Sequence, residues 1–72
     1  MSRSSLRRAL GALVSVTFLD ASGREVQVTG TLDEVSESFL AVVGASIGDA
    51  PIDGRLFVPV SRVVTVQEPE WR

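Results

Sequence analysis

A glycine in the middle of a long alternating run constrains this chain more than any other feature. Residues 24–35 read REVQVTGTLDEV. Val26, Val28 and Leu32 share one face at the two-residue period of a strand, and Gly30 falls on that same face. A glycine among inward-facing branched residues lets a strand bend sharply or lets another backbone approach closely. Val35 is out of phase with Leu32, which predicts a bulge near Asp33-Glu34. Ser36-Glu37-Ser38 reads as a turn. Residues 39–43, FLAVV, then form a nearly unbroken apolar run, as in a strand covered on both faces.

The flanking segments follow from the same patterns. Residues 4–11 (SSLRRALG) predict a short helix, with Ser4 or Ser5 as cap, Leu6 and Leu10 on one face and Gly11 as its stop. Val14, Val16 and Phe18 alternate with Ser15 and Thr17, so residues 13–19 read as a strand. Asp20-Ala21-Ser22-Gly23 is a turn. Residues 44–54 (GASIGDAPIDG) hold three glycines and a proline and read as the longest loop, mobile unless Ile47 and Ile52 pin it. Strands are expected over 55–60 and 62–67. Ser61-Arg62 is too short for a hairpin, so these two strands read as one ribbon bent around a single 3₁₀ turn. Pro59 has no N–H to give to a ladder, which places its nitrogen at a gap, a bulge or an edge. Residues 68–72 form a tail, expected to fray. The expected core is Val14, Val16, Phe18, Val26, Val28, Leu32, Phe39, Leu40, Val42, Phe57, Val63 and Val64.

Seventy-two residues make one domain, spanning 1–72, with a thin core. Chains of this size commonly add a disulfide, a metal or a partner subunit. There is no Cys and no His, which removes thiolate ligands, the commonest metal ligand and the commonest general base. Association with further copies is the remaining route. The arginines near the start are followed by apolar residues broken by Gly11 and Ser15, too short for a membrane span, so the expectation is a cytoplasmic protein without membrane contact. Nine acids lie between Asp20 and Glu70 against Arg24, Arg55 and Arg62, a formal −6, while Arg3, Arg7 and Arg8 stand together at the start. Most of such a surface repels a polyanion.

A short helix followed by five antiparallel strands, the second strongly bent, builds a small all-β barrel. The residues that make it resemble the Sm-like superfamily, which includes LSm and Hfq-type proteins. Gly23, Val26, Val28, Gly30-Thr31-Leu32, Val35, Ser36 and Phe39-Leu40-Ala41-Val42 are similar to its first motif. Leu56-Phe57-Val58-Pro59-Val60-Ser61-Arg62-Val63-Val64 is similar to its second. The resemblance spans residues 5–67, and other SH3-like barrels share part of the pattern. It implies a five-stranded, strongly bent antiparallel SH3-like or Sm-like barrel, with helix 4–11 and barrel 13–67. It also implies head-to-tail pairing of the last two strands into a closed homo-oligomeric ring, with six or seven copies usual in the family and about five to seven expected here. The residues assigned to that interface are Phe57, Val58, Pro59, Val60, Val63, Val64 and Val66.

Catalysis finds no support in these residues. No nucleophile–base pair can be assembled, and Asp33, Glu34 and Glu37 read as a solvated turn rather than an acid–base or metal site. The expectation is no enzyme activity, no cofactor and no metal. Two functions remain. The first is a structural or interaction module that pairs with itself. The alternative, implied by the resemblance, is RNA binding at the ring pore as in an RNA chaperone. Ser36, Ser38, Phe39 and Arg62 would line that site, and Arg3, Arg7 and Arg8 would form a basic rim. The chain departs from the family at three points. Ser36 stands where an aspartate is usual, Leu40 near the place of an asparagine, and residues 56–60 hold no Arg, Lys, His or Gly.

Overall fold

A computed structural model describes residues 6–68. Among these residues the fold is all-β, built from six antiparallel strands in one bent sheet: β1 Leu13–Leu19, β2 Glu25–Val35, β3 Phe39–Ile47, β4 Ala50–Pro51, β5 Arg55–Pro59 and β6 Val63–Gln67. Hydrogen-bonded neighbours run β4-β3-β2-β1-β6, and β5 pairs with the first half of β3. The spans of β1, the end of β2 and the 36–38 turn match the alternation of the sequence.

Gly30 decides how the sheet bends. It is buried within β2, and a Cβ built there would stand 2.6 Å from Val42 Cγ1, 2.9 Å from Ala45 Cα and 3.0 Å from the Val43 carbonyl oxygen. The β2–β3 register steps from Thr29↔Ser46 to Thr31↔Val43, so β3 spends one residue more than β2 opposite the glycine. Gly44, at φ 58°, lies in that extra turn of chain. A second irregularity falls between Leu32 and Glu34, where Asp33 is the additional residue. This is the bulge expected from the phase of Val35.

The core is closed by Val14 and Val16 from β1, Val28 and Leu32 from β2, Leu40, Val42 and Ala45 from β3, and Ala9 from the N-terminal turn. Phe18, Val35, Ile52, Leu56, Val60, Val63 and Val66 pack against it while half-buried.

Several expectations need correction. The helix expected over 4–11 does not extend past Arg7 among the described residues. Residues 4 and 5 lie outside the described residues, and helical backbone is confined to Leu6 and Arg7 among the rest. The N–H groups of Ala9 and Leu10 bond Leu6 and Arg7 three residues back, at 3.0 and 3.1 Å. That tighter period turns Leu6 and Ala9 inward and leaves Leu10 exposed. Gly11 and Ala12 then extend the β1 ladder, exchanging bonds with Leu32 at 2.8 and 3.0 Å.

The strands number six rather than five, because residues 44–54 are not one long loop. β3 continues to Ile47, turns through Gly48-Asp49 and returns as β4; Ile52 N–H then bonds the Ala45 carbonyl at 2.8 Å. Nor is the barrel closed. β5 and β6 run into each other through a 3₁₀ turn, Val60–Arg62, and do not pair with one another. The single bent ribbon read from Ser61-Arg62 is what forms, and it spans the gap without a ladder.

Three expected core residues face outward. In β5, Leu56 and Val58 take the inner face, so Phe57 is turned to solvent and 52% exposed. In β6 the register steps from Thr17↔Thr65 to Phe18↔Val63, making Val64 the extra residue, 47% exposed. Phe39 is only half-buried.

Candidate functional site

The turn that joins β2 to β3 is built around the Ser36 hydroxyl. It accepts the N–H groups of Ser38 (3.2 Å) and Phe39 (3.1 Å) and donates to the Phe39 carbonyl at 3.2 Å. One donation and two acceptances use the whole capacity of a hydroxyl. Ser36 N–H also bonds the Phe39 carbonyl at 2.9 Å. Ser36 therefore serves its own turn. Ser38 is exposed, and its carbonyl accepts Val60 N–H at 2.9 Å, which ties this turn to the 3₁₀ turn. The structure thus brings Ser36, Ser38 and Phe39 beside the segment that carries Arg62.

The Arg62 guanidinium is directed elsewhere. It donates to the Asp20 carbonyl at 3.1 Å, in the turn between β1 and β2. That turn is held by the Asp20 carboxylate, which accepts Ser22 Oγ (2.6 Å), Ser22 N–H (2.8 Å) and Arg24 N–H (3.0 Å). The Ser22 hydroxyl, followed by the Arg24 backbone N–H, holds the Asp20 carboxyl below its usual range. Arg7 and Arg8 are exposed on the N-terminal turn, next to the opposite end of β1. Seven residues of β1 separate the two places, roughly 20 Å at strand rise. Arg3 lies outside the described residues. The basic residues proposed for RNA are therefore not gathered into one patch among the described residues.

A different cluster forms on the outer face of β2, β3 and β5. Arg55 Nη2 reaches Asp33 Oδ2 at 2.9 Å and Glu34 Oε1 at 2.7 Å. The bulge at Asp33 is what allows two consecutive residues of one strand to reach a common cation. The Arg55 guanidinium carbon lies 5.2 Å from the centroid of the Phe57 ring, and Phe57 meets Phe39 edge-to-face at 5.2 Å and 79°. Beneath them Ala41, paired with Phe57, is fully buried. Sequence reasoning missed this cluster. The out-of-phase Val35 was the signal for the bulge, but nothing local in the sequence pairs residue 55 with residues 33 and 34. No group of His, Asp and Glu side chains among the described residues is placed to hold a metal ion.

The second surface is the pair of sheet edges. Among the described residues β5 is paired only with β3, and β6 only with β1. Val60 N–H bonds Ser38 directly across the ladder, so alternation points Val58 and Leu56 at β3 and points the backbone groups of Phe57 and residue 59 outward. Pro59 therefore stands where a donor would face the open edge, and its missing N–H costs the internal ladder nothing. Of the seven residues assigned to an interface, Phe57, Pro59 and Val64 are exposed, Val60, Val63 and Val66 are half-buried against the core, and Val58 is buried.

Comparison of this chain with models of protein families, with curated proteins and with solved structures returned no match.

Proposed function

We propose that this chain is an Sm-like module that works by associating with itself, its β5 and β6 edges pairing head to tail into a closed ring. One observation carries the reading. Among the described residues β5 and β6, like the two-residue β4, are each paired on one side only, and β5 and β6 each bear a large exposed apolar residue, Phe57 and Val64. Such edges are templates for another strand. A single heterologous contact uses both, whereas a two-fold contact uses one and leaves the other bare. The strand order also supports the resemblance read from Gly30 and the 55–67 ribbon, since the last strand returns to β1 across the bent sheet. No helix among the described residues is long and apolar enough to cross a membrane.

RNA chaperone activity is the weaker reading. The Ser36 hydroxyl is spent within its turn, Arg62 is drawn to Asp20, and Asp33 and Glu34 stand near the aromatic pair. Stacking platforms for single strands combine exposed rings with cations that follow the phosphates, and here the cation beside Phe57 is already neutralised by two carboxylates.

Sedimentation velocity at micromolar concentration tests the reading. An assembly of several chains, reduced to single chains by Val64→Lys, is the expected result; a single-chain mass for the unaltered protein overturns it. Val64 is the residue to change because Val66 packs on the core and its loss disturbs the fold itself. In a gel-shift assay, oligo-U and oligo-A are expected to migrate unchanged at low and high salt, while a steeply salt-dependent shift would restore the RNA reading.

A further inference from the structure

Asp53 is followed by Gly54, and of the four aspartates in the chain it alone precedes a glycine. Both residues are exposed and lie outside the ladders, between β4 and β5. Among the described residues the Gly54 N–H has no backbone hydrogen-bond partner, and the Asp53 carboxylate takes part in no ion pair. A Cβ built on Gly54 would meet nothing within 4 Å, so the volume around this peptide group is open. We infer that the Asp53-Gly54 link is a modification site, where aspartate isomerises spontaneously to isoaspartate and lengthens the chain at the entry to β5. This goes beyond the self-association reading and does not depend on it.

The reaction balances with water alone. The Gly54 amide nitrogen attacks the side-chain carbonyl carbon of protonated Asp53. The amide proton and the carboxyl hydroxyl leave as water, and a succinimide ring closes. Water then adds to one of the two ring carbonyls. Opening at the main-chain carbonyl routes the chain through the side-chain carbon and frees an α-carboxylate; opening at the other restores aspartate. Composition is unchanged, and the backbone gains one carbon. Glycine favours the closure because no side chain hinders the approach of its nitrogen.

The other aspartates lack this combination, and each is followed by a residue with a Cβ. The Asp20 carboxylate accepts three bonds within its own turn. Asp33 lies in β2 and is paired with Arg55. Ala50, which follows Asp49, is paired with Ile47 in the β3–β4 ladder.

Placement gives the modification a structural consequence. Upstream, Ile52 packs on the core and its N–H bonds the Ala45 carbonyl at 2.8 Å. Downstream, Arg55 opens β5 opposite Val43 and reaches Asp33 and Glu34. A longer link between these anchors displaces one of them. The Arg55 pairs are partly exposed and screened, so they give way first.

The test is to age the full chain for several weeks at physiological temperature in mildly acidic buffer. After digestion, isoaspartate is read by methyl transfer from labelled S-adenosylmethionine with an isoaspartyl methyltransferase, and located by peptide fragmentation. The chain has no asparagine, so deamidation of asparagine adds no signal. Label that grows with time at residue 53, without change of mass, is the expected result. Asp53→Glu keeps the charge but needs a larger ring, and is expected to reduce the label to background. Asp53→Asn reaches the same ring by releasing ammonia, and is expected to accelerate labelling. Aged protein without label, label at Asp20, Asp33 or Asp49 instead, or undiminished label in Asp53→Glu overturns the inference. In the isomer isolated by ion exchange, the Arg55 amide is expected to exchange faster while core Val14 stays protected. Equal exchange at residue 55 in the two forms overturns the displacement of β5.

Discussion

Gly30 and Ala45 meet backbone to backbone: a Cβ on Gly30 would stand 2.9 Å from the Ala45 Cα. This approach lets β3 spend its extra residue opposite β2 and lets the sheet curl over its own core. Gly30 needs no unusual backbone angle, so its role is steric. Gly30→Ala is expected to cost about 2–3 kcal/mol, as overpacking does. In a domain of this size that lowers Tm by roughly 10–20 °C. A thermal melt followed by circular dichroism checks it, and a shift of a degree or two would remove the steric account of the bend.

Leu40 and Phe57 are expected to contribute unequally to folding. Leu40 is buried at the centre of the sheet, and Leu40→Ala is expected to destabilise the fold by about 2–5 kcal/mol. Phe57→Ala, on the half-exposed outer face, is expected to cost the isolated chain about 1 kcal/mol or less. Urea titrations at concentrations low enough to keep chains apart compare the two. Equal losses would mean that the outer aromatic cluster is a second core.

Arg55 bridges β5 to the bulge of β2, yet all three side chains of the cluster are nearly half exposed. Solvent and salt therefore screen the pairs, and Arg55→Ala is expected to cost about 0.5–1 kcal/mol. The loss should shrink in half-molar salt. A larger loss, unchanged by salt, would point to the stacking of Arg55 on Phe57 as the dominant contribution.

Asp20 makes stability depend on acidity in a predictable direction. Its carboxyl is held below the ordinary value of 3.8, chiefly by the Ser22 hydroxyl. The contribution is complete above that value and is lost as pH falls below it through the folded-state value. Asp20→Asn is expected to lower the urea midpoint near neutral pH and to flatten the acid limb of the midpoint-versus-pH curve. Parallel acid limbs for the two proteins would show that the turn does not bind its carboxylate preferentially in the charged form.

Local periodicity settled much of this protein. Alternation placed β1 and the end of β2, the phase slip at Val35 located the bulge at Asp33, and the brevity of Ser61-Arg62 required a bent ribbon instead of a hairpin. These features depend on side-chain direction along a strand and on backbone length, both of which are written residue by residue. Ser36 was also legible as a turn residue, because a serine before a strand commonly bonds its own backbone.

What the sequence could not decide depends on register between distant segments. Phe57 and Val64 read as core because they are apolar within apolar strands. Only the pairing of Ala41 with Phe57 and the irregularity beside Phe18 turn them outward. Residues 44–54 read as a loop because glycine and proline favour turns, but pairing with β3 gives Ala50–Pro51 a ladder that propensity alone does not supply. Among the described residues the helix expected over 4–11 gives way after Arg7 to three-residue turns, and Gly11 and Ala12 bond Leu32 of β2. Arg62 read as a residue of the pore site, and tertiary structure directs it to the Asp20 carbonyl, while Arg55 finds two carboxylates across the sheet. For Phe57 and Val64 a one-residue shift of register reverses which face the side chain takes, and register is fixed by the packing of the whole sheet.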